Sequence, residues 1–364
     1  MNIIVNTRLL IPGKMEGIAW YAHEILSRMV HAHSEHHFHF VFDRPFDPEF
    51  IYANNVTGHV MGPQARHPLL YKWWFHRNLP KLMNRLKADL FFSPEGYLSL
   101  KTKVPQVNVI HDLGFEHFPA HLPKRELAFY QKYFPLYAQK AKKIITVSEF
   151  SKKDIVSKYG VEAEKVKVIY NGVRTALKKN SSSDLQRYFI YVGTLHPRKN
   201  SERMLRAFDQ FIDQSNSNLG FKLVGRRMGK GSAIERVQAS LKHKDRIEFL
   251  GYQSEERLAQ LMADAEAMIY VPLFEGFGLP VLEAFQNNVP LICSNNSSLP
   301  EVAGNAALMV DAEDEHQLIE AMNRISSDES LRKELIQKGS EQVKKFSWDE
   351  AAQKTWKVIE TCLV

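Results

Sequence analysis

At 364 residues, with 44% hydrophobic and 24% charged, the chain exceeds one typical domain and is too apolar for a disordered one. Its two cysteines, Cys293 and Cys362, show no metal-type spacing and exclude a disulfide scaffold, which predicts a reducing, cytoplasmic setting. The net charge of +7 is uneven: residues 1–172 carry 23 Lys and Arg against 15 Asp and Glu, residues 173–364 carry 25 against 26, and a basic first half suits an anionic partner.

The opening apolar run, Met1 to Leu10, is too short for a signal peptide, and no later run approaches the roughly 20 residues of a spanning helix. Apolar runs then alternate with helical patterns, the sign of α/β layering with parallel sheets. In the first half the predicted strands are Ile3–Val5, Phe38–Phe42, Leu90–Phe92, Val107–Ile110, Ile144–Val147 and Val166–Ile169. Gly13-Lys14-Met15-Glu16-Gly17-Ile18-Ala19 forms the loop that opens the first helix. His31, His33, His36, His37 and His39 cluster before the second strand with loop-like spacing and without other ligands, so no metal site is predicted. Arg66 to Lys87 interleaves Tyr71, Trp73, Trp74 and Phe75 with basic residues; its aromatics are expected in the core, with contact to a membrane surface as the second reading. His111-Asp112 closes the fourth strand, and Ser148 reads as a helix N-cap.

Asn171-Gly172-Val173 offers a turn, and Arg174 to Asp184 has linker character. The domain boundaries are therefore set at 1–172 and 173–347, with 348–364 as a terminal amphipathic helix. Two Rossmann-like domains facing across a cleft are expected. Strands in the second half are predicted at Phe189–Val192, Phe221–Val224, Ile247–Leu250, Ala267–Val271, Leu291–Cys293 and Ala307–Val310. Gly193-Thr194-Leu195-His196-Pro197-Arg198-Lys199-Asn200 follows the first of them, where Arg198 and Lys199 could neutralise a departing diphosphate. Gly225, Gly229 and Gly231 follow the second strand but lack the spacing of a dinucleotide fingerprint.

The most informative stretch is Phe274-Glu-Gly-Phe-Gly-Leu-Pro-Val-Leu-Glu283. A buried strand precedes it, Gly276 and Gly278 allow a tight backbone path, and Pro280 suits a helix start. Free amides of Gly276, Phe277, Gly278 and Leu279 at that helix N-terminus make an anion site. Glu275 is expected in the loop and Glu283 in the first helical turn, both able to reach one pocket.

This stretch resembles the Glu-x7-Glu signature of retaining glycosyltransferases of family 4, which have the GT-B fold. The resemblance implies that Glu283 holds the ribose hydroxyls of a sugar nucleotide and that Glu275 contacts the donor sugar near its reacting carbon. The Gly193 to Asn200 octet resembles the same family, in which the basic pair binds the donor diphosphate. Several members carry an arginine directly after the glycine, where this chain has Thr194, so Arg198 takes more of the work. His111 resembles the histidine beside the donor sugar, and Tyr252 the position whose backbone meets the base. The loop around Gly17 is similar to the family's Gly-Gly-Ile-Gly loop, with Glu16 and Ala19 replacing glycines.

The function implied is transfer of a hexose, mannose favoured, from a GDP- or UDP-sugar to a saccharide or lipid-linked saccharide acceptor in cell-surface polysaccharide synthesis. Retention of configuration comes from the resemblance. No metal cofactor and no nucleic-acid partner are expected, the former because the chain holds no Asp-x-Asp. The basic half could touch the inner face of the plasma membrane. A non-catalytic sugar-nucleotide-binding protein and a sugar-nucleotide epimerase are the alternatives.

Overall fold

The computed structural model describes residues 1–173, 187–226 and 233–363; the expected linker Arg174 to Asp184, and Gly229 and Gly231, lie outside them. The chain divides into two compact units, Met1–Gly172 with Ser347–Val364, and Val173–Phe346.

The first unit is built on seven strands: β1 (Asn2–Asn6), β2 (His37–Phe42), β3 (Val56–Val60), β4 (Leu90–Ser93), β5 (Gln106–Val109), β6 (Lys143–Thr146) and β7 (Val166–Val168). They pair in the order β3-β2-β1-β4-β5-β6-β7, all parallel. β3 has no counterpart among the predicted strands. Val-Thr-Gly-His-Val has only two apolar residues around a glycine, and as an edge strand it buries only Val56.

The terminal helix Trp348–Glu360 belongs to this unit. It buries Ala351, Ala352, Thr355, Trp356 and Ile359 and packs against helix Gly17–Ala32. Arg28 donates to Asp349 across that seam at 2.6 Å.

Two readings of this half change. The aromatic run is three short helical pieces, Pro68–Trp73, a π-helical Trp74–Asn78 and Leu79–Arg85. Trp74 and Phe75 are core, with Trp74 Nε1 donating to the Met61 carbonyl at 2.7 Å, whereas Trp73 is 47% exposed beneath the Arg77 guanidinium. The histidines are not a loop cluster. His37 and His39 lie in β2, while the His33 and His36 rings stack on Trp356. Among the described residues no helix is long and apolar enough to cross a membrane.

The second unit has six strands: β8 (Tyr188–Val192), β9 (Gly220–Val224), β10 (Ile247–Gly251), β11 (Ala267–Tyr270), β12 (Leu291–Ser294) and β13 (Leu308–Val310). Their order is β10-β9-β8-β11-β12-β13, again all parallel. β8, β9, β11 and β12 are buried along their whole length, which is why β8 and β11 read as continuous apolar runs; β9 buries Lys222 against the Tyr188 ring and β12 ends in the buried Ser294. Helix Ser201–Ser215 buries Met204, Leu205, Phe208, Phe211 and Ile212. In both sheets the chain builds outward from one strand, then returns to that strand's other side. Such a reversal splays the loops at the strands' carboxyl ends and opens a crevice for a ligand.

Candidate active site

In the second unit the reversal lies between β8 and β11, which pair through Ala267 with Phe189 and Met268 with Ile190. The loop after β8 ends in a single 3-10 turn, Pro197–Lys199, with the His196 side chain accepting from the Arg198 N–H. Asn200 follows in the left-handed region at φ 62°, where asparagine is tolerated, and its amide donates to the carbonyls of Val271 at 3.0 Å and Ala312 at 2.7 Å. That clamp turns Arg198 and Lys199 toward the loop after β11. The two basic residues thus precede the helix Ser201–Ser215 rather than lying in its first turn.

The loop after β11 carries Glu275. The Lys199 ammonium bonds the Glu275 carboxylate and donates to the Tyr270 hydroxyl at 3.0 Å. Arg198 Nη1 donates to the Phe274 carbonyl at 2.5 Å and lies 3.4 Å from the same carboxylate. Burial disfavours the charged form of Glu275, but Lys199 and Arg198 outweigh it and hold the carboxyl below its usual range. Burial pushes the Tyr270 hydroxyl up, so it stays protonated. Two cations thus converge on one carboxylate.

The loop's backbone is fixed from the β12 side. The Glu275 N–H donates to Ser297 Oγ at 3.1 Å, and Ser298 Oγ lies 3.0 Å from the carbonyls of both Glu275 and Phe277. Gly278 caps helix Leu279–Gln286 at φ 100°, and a Cβ there would stand 2.5 Å from Leu299 Cδ2. Only glycine serves at that position. Gly276 needs no such freedom, as its φ is not positive. Glu283 is the fifth residue of the helix, one position later than the sequence suggested, because the helix opens at Leu279 with Pro280 second.

Gly193 and Tyr252 sit on neighbouring loops. The Gly193 N–H bonds the Val224 carbonyl at 2.9 Å, the Gly225 N–H bonds the Gly251 carbonyl at 2.8 Å, and Tyr252 follows with its side chain 75% exposed. The ends of β8, β9 and β10 are therefore laced together by backbone bonds. Sequence reasoning missed Tyr270, Ser297 and Ser298. Tyr270 reads as the end of an apolar run, and only the three-dimensional contact reveals its hydroxyl.

His111 and Gly17 belong to the first unit. His111 Nε2 lies 2.8 Å from the Pro94 carbonyl and its ring stands edge-on to Tyr21 at 4.8 Å. Burial lowers its pKa, which favours a neutral ring donating that proton. Asp112 bonds the Gly114 N–H at 2.7 Å and so shapes the loop. Gly17 opens helix Gly17–Ala32, and a Cβ there would meet nothing within 4 Å, so space alone does not require glycine. His111, Asp112, Lys14 and Ile18 line a cavity of about 610 Å³. The buried Arg8 and Glu95 line the same cavity and pair with each other, with Nη2 to Oε2 at 2.6 Å and Nε to Oε1 at 3.1 Å. Among the described residues no three His, Cys, Asp or Glu side chains converge as a metal site.

Comparison with known proteins places these features in a family. The model of "Glycosyl transferases group 1" matches residues 173–342, and that of "Glycosyltransferase Family 4" matches residues 15–177. O-antigen chain mannosyltransferase B of Escherichia coli is 27% identical over 98% of both chains. MMP alpha-(1->4)-mannosyltransferase of Mycolicibacterium hassiacum is 28% identical over 62% of this chain and 56% of its own. Among solved structures, sucrose-phosphate synthase of Thermosynechococcus elongatus superposes with a TM-score of 0.78 at 17% identity, covering 99% of this chain and 98% of its own. Anabaena HepE, solved with UDP-glucose, gives 0.76 at 17% identity over 99% and 100%. With both units matched, the chain belongs to the group 1, family 4 glycosyltransferases and has their GT-B fold.

Proposed function

We propose that this glycosyltransferase moves a mannosyl residue, with retention, from a nucleoside diphosphate sugar to a saccharide or lipid-linked saccharide acceptor in polysaccharide synthesis. The observation that carries the reading is the Arg198–Lys199–Glu275 cluster at the β8/β11 reversal, beside the start of helix Leu279–Gln286. Its two cations and the amides around Gly278 suit a diphosphate leaving group. The mannosyl assignment draws on the E. coli relative, which matches end to end. Glu283 is assigned to the ribose hydroxyls, and His111 and Glu275 to the donor sugar.

In this scheme Lys199 and Arg198 offset the charge that grows on the β-phosphate as the sugar–oxygen bond breaks. The leaving diphosphate takes the acceptor hydroxyl's proton on the same face of the sugar, so no enzyme nucleophile is required. The cations and helix amides supply the positive field without a divalent metal. Transfer from GDP-mannose, compared with UDP-sugars on a lipid-linked oligosaccharide acceptor, tests the reading. Product should form with one of these donors, carry the donor's anomeric configuration and survive EDTA. Loss of transfer on chelation, restored by magnesium or manganese, would refute the metal-free scheme. No transfer from any donor would refute the function.

We also propose peripheral membrane contact through Leu69, Leu70 and Trp73, which are 66%, 36% and 47% exposed on one short helix beside Lys72 and Arg77. Co-sedimentation with phosphatidylglycerol vesicles should fall on Trp73→Ala; equal sedimentation would remove this surface.

A further inference from the structure

Lys199 presents three ammonium hydrogens, of which one is directed to Glu275 and one to the Tyr270 hydroxyl. The Tyr270 ring adds a cation–π contact, with Lys199 Nζ 5.4 Å from its centroid, and the ring stacks on Tyr191. Lys199 is thus held from behind by a neutral partner that a ligand need not displace. Glu275 is different. It is 9% exposed, it carries the partner charge of both cations, and it occupies the acceptor side of both.

A diphosphate drawn to Lys199 and Arg198 brings at least two negative charges to cations already serving a carboxylate. In a poorly solvated site, like charges a few ångströms apart repel strongly. Both anions cannot hold the same cations at full strength. We infer that Glu275 is a built-in competitor for the diphosphate: ligand binding displaces its carboxylate from Lys199 and Arg198, and the return of that carboxylate speeds release of the spent nucleoside diphosphate.

This inference rests on the proposed nucleotide-sugar reading and adds a consequence that reading alone does not have. A residue that only contacted the donor sugar would leave affinity for free nucleoside diphosphate unchanged on removal. A competitor, once neutralised, would raise it. Carboxylate displacement also frees Glu275 to accept from a sugar hydroxyl while the donor is bound, so that one group serves both the donor and the departure of the product.

The test is titration calorimetry and stopped-flow release of GDP and UDP with the full-length wild type and Glu275→Gln. Glu275→Gln should bind the preferred diphosphate roughly ten-fold tighter, through a slower off-rate, while transfer is lost. If the variant is too unstable for calorimetry, the rise in its melting temperature with saturating diphosphate should exceed that of the wild type. Equal or weaker binding by Glu275→Gln, or an equal or smaller melting shift, would overturn the competitor role while leaving the nucleotide-sugar reading in place. If the wild type bound neither GDP nor UDP, both would fall together.

Discussion

The two units carry the same device at the same topological position and use it in opposite ways. In each, a cation on the loop after the first strand of the sheet meets a glutamate on the loop after the strand beyond the reversal: Arg8 with Glu95, Lys199 with Glu275. Arg8 is closed off. All three guanidinium nitrogens have acceptors, Nε and Nη2 on Glu95 and Nη1 on the Ala65 carbonyl, and the rings of Tyr71, Tyr97 and Phe75 surround the group. Burial works against its charge, yet Glu95 keeps it protonated. In the second unit one carboxylate serves two cations that are more exposed, at 17% and 24% against 7% for Arg8. A matched and enclosed pair holds two loops together. A shared and more accessible one can accept an anion.

If that contrast holds, the largest effect on stability comes from the first unit. Glu95→Ala leaves Arg8 as a buried, unpaired charge and should cost about 3–5 kcal/mol in urea unfolding, whereas Lys199→Ala should cost much less. A smaller loss for Glu95→Ala than for Lys199→Ala would reverse the roles assigned to the two pairs.

A milder effect is expected at Glu283, which lies on helix Leu279–Gln286. Glu283→Gln should raise the donor KM by roughly ten-fold with little change in kcat, because a ribose contact is made equally in the ground and transition states. A loss confined to kcat would move Glu283 to the chemistry and blur the division between the charge cluster and the ribose site.

Much of this was legible in the sequence, for identifiable reasons. β8 (Tyr188–Val192) and β11 (Ala267–Tyr270) are unbroken apolar runs and stand out, and the glycine loop with its two glutamates pointed to the candidate site. β3 was hidden because an edge strand needs little apolar surface. The pairing of Lys199 with Glu275 was also hidden: 76 residues separate them, and only the reversal of strand order brings their loops together. Tyr270 shows the same limit at the level of one residue. A tyrosine closing a buried strand looks like core until the position of its hydroxyl is known. Splitting of the aromatic segment at Trp73 and Trp74 depended on a π-helical turn that shifts which side chains face inward, which no regular helical period anticipates.

We propose that the loops at the β8/β11 reversal form a diphosphate site whose essential cation is Lys199. Calorimetric titration of the preferred nucleoside diphosphate into wild type and Lys199→Ala tests it most directly, with circular dichroism to confirm that the variant is folded. Lys199→Ala should weaken binding by at least roughly ten-fold and lower turnover by about 10²–10³-fold, since this charge is needed most as the phosphate leaves. Unchanged affinity in a folded variant would contradict it.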